Sequence, residues 1–230
     1  MFKIKKIYFF LLVLILIAGC GKTPAEKSTH GMLLVTAADK AVDINNIYSI
    51  NVTITKIEIL ANSTDSWQVL SDKTQTINLI ELSKNKEISL LSETNITKGL
   101  YTHLKLTISQ VLVDNKGLTD YAKLPSNELK LIGNILVEGS KTTIAKLDFI
   151  AAESLHSTGI GELIMAPVIK LDIINNADAE ITENKVNIKK GKTKESNKYG
   201  MDENGNIALN YSISKEAVLR TNGKKIIRIE

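Results

Sequence analysis

Apolar residues in this chain recur at every second position. Ile50, Val52 and Ile54 alternate with Asn51, Thr53 and Thr55, and Leu104, Leu106 and Ile108 alternate with His103, Lys105 and Thr107. A period of two sends successive side chains to opposite faces, so these runs are half-buried strands rather than amphipathic helices. In both runs the parity then flips, Ile57 and Ile59 taking over from Ile54, and Val111 and Val113 from Ile108. One extra residue in a strand produces such a flip, which places a β-bulge near Thr55-Lys56 and another after Ile108.

Further strands are expected at Met32 to Thr36, Trp67 to Leu70, Leu129 to Val137, Thr142 to Phe149 and Leu163 to Ile174, with Glu138-Gly139-Ser140-Lys141 as a hairpin turn between two of them. Aromatics make up only 5% of the chain, so the core falls to Ile, Leu and Val, a bias that favours strands. Many strands without alternating long helices predict a mainly β fold, an antiparallel β-sandwich of immunoglobulin-like or transthyretin-like kind. Ile77 to Leu91 is compatible with short helical turns covering one end. Gly99-Leu100-Tyr101 has the spacing of a tyrosine corner, which predicts that the Tyr101 hydroxyl bonds back to nearby backbone.

The first twenty residues carry a different signal. Lys3, Lys5 and Lys6 precede an unbroken apolar run from Ile7 to Ala18, the basic and hydrophobic regions of an export signal. The run is shorter than the roughly 20 residues a spanning helix needs. It ends in Ile17-Ala18-Gly19-Cys20, which resembles the lipobox of bacterial lipoprotein precursors. That resemblance implies lipid on Cys20, the single Cys of the chain, with residues 1–19 as signal peptide and 20–29 as a polar tether. It also implies a cell-envelope location, at the outer membrane where a cell has two, because Gly21 is unlike the acidic retention signal of the inner membrane.

After Ile174 the texture turns polar and lysine-rich. Residues 30–175 are read as the sandwich domain and 176–230 as a basic C-terminal β extension, holding 11 basic and 8 acidic residues, with Asn222-Gly223 as a type I′ hairpin signal. Without the three signal-peptide lysines, 26 basic residues face 25 acidic ones. That balance excludes the strong basic field of a nucleic-acid binder. A single Cys excludes a disulfide framework.

Gly31-Met32-Leu33-Leu34-Val35, Asp39 and the run Ile47 to Leu60 resemble the opening of a bacterial lipoprotein domain family of unknown function. The resemblance extends through Trp67-Gln68-Val69-Leu70, Asn78 to Leu82, Gly99 to Tyr101, Leu147-Asp148-Phe149, Ser154-Leu155-His156 and Pro167-Val168-Ile169, and covers about residues 31 to 174. It implies a β-sandwich surface lipoprotein. Ile150 stands where the family often has a second Asp, and Ala38 and Lys40-Ala41 depart from its Thr-Asp-Ala-Pro turn.

No phosphate loop, zinc-protease motif or nucleophile elbow is present in the sequence. His30, His103 and His156 form no pair at ligand spacing, so neither a metal nor another cofactor is expected. Asp202 to Asn206 carries the oxygen donors of a calcium loop but lacks the closing Glu, and reads as a turn. Gly159-Ile160-Gly161 reads as a turn before a strand. Two functional classes stay open. One is a non-catalytic binding or adhesion module for a protein or glycan of the envelope, with Asp39, Asp148 and His156 as candidate ligand contacts. The other is an envelope hydrolase using Asp148, Ser154 and His156, the last two sharing a face if they lie on one strand.

Overall fold

The computed structural model describes residues 28–40, 46–158 and 161–211, and the backbone of 219–221 and 224–228. Cys20, Asn222-Gly223 and most of the Gly159-Ile160-Gly161 turn lie outside the described residues.

The two alternating runs are the longest strands of one sheet, β2 (Ile47–Ala61) and β6 (Gly99–Asn115), paired antiparallel along their length. Ile54 stands opposite Ile108, but Lys56 faces Thr107 and Thr53 faces Gln110, leaving Thr55 and Ser109 as the extra residues of two adjacent bulges. Each bulge residue carries a hydroxyl that donates to a carbonyl of the opposite strand, Thr55 to Thr107 and Ser109 to Thr53. Both parity flips are therefore one irregularity seen from its two strands. β3 (Trp67–Ser71) and β4 (Gln75–Asn78) flank β2, while β7 (Leu118–Ala122) and β8 (Glu128–Val137) flank β6.

The second sheet is built on β1 (His30–Asp39), which pairs antiparallel with β5 (Ser89–Thr97) and in parallel with β9 (Thr142–Phe149). Leu33 to Ala38 are buried at every position, the pattern of a strand covered on both faces. β12 (Val168–Thr182) continues the sheet beside β9 and turns at Glu183-Asn184 into β13 (Lys185–Met201), followed by β14 (Ile207–Leu209). The main core lies between the two sheets. Ile54, Ile59, Leu104 and Leu106 from one meet Leu33, Val35, Leu147 and Leu171 from the other.

Both flanks of the sandwich are tied. Asn134 donates its backbone and side-chain N–H groups to Glu195 at 2.9 and 3.0 Å, and the Tyr199 hydroxyl donates to the Ile132 carbonyl. On the other flank Ser92 and Thr94 donate to the Leu70 carbonyl at 3.2 and 3.1 Å.

Among the described residues, helix is confined to two short pieces. α1 (Leu79–Asn85) starts where the Asn78 side chain accepts from the amides of Ile80 and Glu81, and stops at Lys86 in the left-handed region. It presses Leu79 and Leu82 into the core, whereas Ser89 to Leu91, read as part of the helical stretch, belong to β5. α2 (Ala151–Ser154) is a single turn between β9 and β10 (Leu155–Thr158).

Two sequence expectations are corrected. Glu138 to Lys141 does form a tight turn, with Lys141 N donating to Glu138 O at 3.2 Å, yet it is no hairpin. β8 pairs in the first sheet and β9 in the second, so the turn carries the chain across the sandwich. Nor does the chain break at 175/176, for β12 runs through it. What changes there is its neighbours: up to Asn175 the strand pairs with both β9 and β13, beyond it with β13 alone. The β12–β13 ribbon then arches over the outer face of the second sheet. Its tip reaches β5, where Lys185 faces Ser89, Leu90 N donates to Asn184 O and Val186 N to Ile88 O. The strands β12, β9, β1, β5 and β13 thus close a ring around a second apolar cluster of Leu34, Ile144 and Ile174, against which Met32, Leu90 and Ile188 pack. In the tail, β16 (Lys224–Arg228) pairs with β10 and with β15 (Leu219–Thr221), Thr221 facing Lys224.

Candidate functional site

The parallel pairing of β1 with β9 brings two of the candidate acids side by side. Ala38 faces Asp148 and Asp39 faces Phe149. Asp39 ends its strand between the two short helices, and its Oδ1 accepts from Ala151 N at 3.0 Å. Burial pushes its carboxyl up to about 7; the Ala151 amide and the Ser83 hydroxyl pull it down, and the Asp148 carboxylate adds to the rise. Asp148 is also raised, first by burial, with the Lys146 ammonium opposing and Asp172 adding. On the next strand Asp172 behaves in the opposite sense. Burial alone would raise it, but the Ser196 hydroxyl at 2.6 Å and the ammonium groups of Lys170 and Lys146, each at 3.2 Å, outweigh burial and hold it below the ordinary range.

This cluster can hold a proton at neutral pH, where the first strand meets the two helical turns. Among the described residues, no group of three or more His, Cys, Asp or Glu side chains is placed to hold a metal ion.

Ser154 and His156 do not share a strand face, since Ser154 closes α2 and His156 is the second residue of β10. Ser154 is fully buried. Its hydroxyl donates to Ile150 O at 2.7 Å and accepts from Val168 N at 2.8 Å. Those two bonds join α2 to β12 and commit the oxygen to the backbone. His156 is 1% exposed, on a strand flanked by β11 (Leu163–Met165) and β16. Tyr101 lies on the inward face of β6, its hydroxyl donating to Thr97 O at 2.8 Å. Thr97 ends β5, so this bond spans the corner between the two sheets. Asp202 accepts from the amides of Asn204 and Asn206 at 2.9 and 2.8 Å, so its carboxylate is spent on the turn it begins.

The outer face of the first sheet holds the surface that sequence reasoning missed. Lys56, Glu58, Lys105, Glu128 and Lys130 form a ladder across β2, β6 and β8, with contacts of 2.8 Å except for 3.8 Å between Lys105 and Glu128. Burial alone would raise Glu58, but its bonds to Lys105 and Lys56 hold it below the usual carboxylate value. The Lys105 ammonium lies 4.6 Å from the Trp67 ring centre, and His103 meets that ring edge-on at 6.2 Å. Around this ladder Val69, Leu100, Ile132 and Leu136 stand 38 to 59% exposed. At the far end of the same sheet Tyr48, Leu118 and Tyr121 are 62 to 79% exposed. The available signal was in β8, where Ile132 and Leu136 put apolar residues at positions the alternation assigns to solvent. Two grooves of about 400 and 330 Å³ flank the ribbon tip, meeting at Glu87, Ile88 and Lys185.

A family model described as a domain of unknown function, DUF4382, matches residues 30–167. The chain belongs to that family. The match begins at the first residue of β1 and ends one residue before β12, so it takes in all of the first sheet, both helices and the Asp39–Asp148 neighbourhood. No curated protein and no solved structure matches the chain.

Proposed function

We propose that this DUF4382 protein is a lipid-anchored lipoprotein of the bacterial cell envelope whose sandwich serves as a non-catalytic binding module. The observation that carries the reading is the N-terminal succession of three lysines, the apolar run Ile7 to Ala18, and Ile17-Ala18-Gly19-Cys20 containing the only Cys. Burial of acyl carbons contributes about 0.8 kcal/mol per CH₂, so two or more chains on Cys20 make a stable anchor. The binding half of the reading is supported by the buried, backbone-bonded hydroxyl of Ser154, which is not disposed to attack a substrate. It is also supported by the exposed outer face of the first sheet, with Tyr121, paired with Leu112, offered at one end to a protein or glycan.

Replacing Cys20 with Ser tests the anchor. Mass spectrometry of the expressed variant should find an unprocessed precursor without diacylglycerol. A normally cleaved, membrane-held product would overturn the proposal.

A further inference from the structure

We infer that the tether-side end of the first sheet's outer face, at Leu100 and Leu136, rests on the lipid surface that holds the anchor; the inference depends on the lipid-anchor reading above. The chain enters the fold at one end of the sandwich, between two turns. Thr29 O accepts from Lys98 N at 2.8 Å and His30 O from Ser140 N at 2.9 Å. The approach is close enough that a Cβ on Gly139 would fall 2.1 Å from Ser28 O, and one on Gly31 2.2 Å from Glu138 O. Only glycine fits at either point, and the entry position is fixed by backbone contact on both sides.

Leu100 and Leu136 lie directly beside this entry. They face each other on β6 and β8, one residue after Gly99 and one before Val137, and are 38 and 42% exposed. Ile132, 59% exposed, continues the apolar strip along β8. Exposed Lys98 and Lys141 stand on the two entry turns, where ammonium groups would meet lipid phosphates.

Chain length keeps the entry end of the sheet next to the anchor. The eight residues 20–27 reach at most about 29 Å when fully extended. β6 starts at the entry and ends at Asn115, roughly 50 Å away at about 3.3 Å per residue. A lipid on Cys20 therefore holds Leu100 and Leu136 within reach of the membrane in every orientation of the sandwich, whereas Leu118 and Tyr121, at the other end of the sheet, reach it only when the sandwich tilts down. Apolar side chains beside a short tether gain from entering the interface, and the second contact fixes how the sandwich sits on the surface.

Acylation consumes the only native thiol, so an introduced Cys is a unique probe. The full lipidated chain carrying Leu136→Cys or, as reference, Leu118→Cys is reconstituted in phosphatidylethanolamine–phosphatidylglycerol vesicles and treated with an impermeant polyethylene glycol maleimide. Thiolate is the reactive form and an apolar layer suppresses it, so Leu136→Cys should react at least about tenfold more slowly on vesicles than in detergent, with Leu118→Cys unchanged. Equal rates at the two positions on vesicles would overturn the contact. Protection of Leu136→Cys that survives in detergent and vanishes on dilution would overturn it too, since a second copy of the chain would then cover the leucines. Failure of the anchor reads differently, because wild-type protein would itself take up the maleimide at Cys20.

Discussion

The two sheets of this sandwich treat their outer faces in opposite ways. The second sheet folds its own β12–β13 ribbon back over itself, so Leu34 and Ile144 are buried on the side away from the main core. Among the described residues nothing packs over the outer face of the first sheet, which carries a charge ladder and one indole with Ile132 and Leu136 exposed beside them. A sheet needs one buried face to be stable, and the second face is free to be sealed or offered. Here the sealed face contributes a second small core, while the other leaves apolar groups exposed to solvent.

The comparison is broken most directly by placing the same charge on each face. Leu34→Asp puts an unpaired carboxylate in the ring interior, and should cost about 4 kcal/mol or more, or prevent folding. Ile132→Asp on the bare face should stay within about 0.5 kcal/mol of wild type. Urea denaturation of both variants measures the contrast; similar losses would mean that the ribbon does not seal the second sheet.

A second experiment sharpens it where the sealed sheet ends. The Asp39 carboxyl titrates at about 7 in the fold, against an ordinary value of 3.8. Between those values the folded chain holds a proton the unfolded chain has released. The stability from this group is full below pH 4 and is lost as the pH rises through 7. Asp39→Asn keeps an acceptor for the Ala151 amide and removes the titration. The variant should therefore gain on wild type between pH 4 and pH 8, by on the order of 2 kcal/mol after allowance for solvent screening. A stability difference that does not change with pH would place the carboxyl in an ordinary environment.

A smaller loss than at Leu34 is expected where the two sheets are tied together. Tyr101→Phe removes only the bond to the Thr97 carbonyl across the corner, and should cost roughly 1 to 2 kcal/mol. Unchanged stability in thermal melts would show that the hydroxyl contributes nothing to the joint.

Local chemistry was legible wherever it repeats along the chain. The alternation around Ile54 and Leu106, the bulge at Thr55, a helical turn within Ile77 to Leu91 and the tight turn at Gly139 could all be read from neighbouring residues. The candidate acids were legible only as residue types. Nothing near Asp39 in sequence says that Asp148 will lie beside it, because that adjacency comes from a parallel pairing of strands more than a hundred residues apart. Ser154 and His156 misled for a related reason. Two residues of separation imply a shared face only if both lie on one strand, and the helical turn ends between them.

The sequence by itself determined that this is a β-rich chain, because side-chain period and turn glycines are properties of consecutive residues. Tertiary structure alone decided which sheet each strand joins, that Glu138 to Lys141 crosses the sandwich instead of closing a hairpin, and that β12 and β13 seal one face while the other stays bare. A strand's alternation states which side chains want burial, but not which surface will bury them; that choice is made by long-range pairing, where registers compete for the same apolar faces.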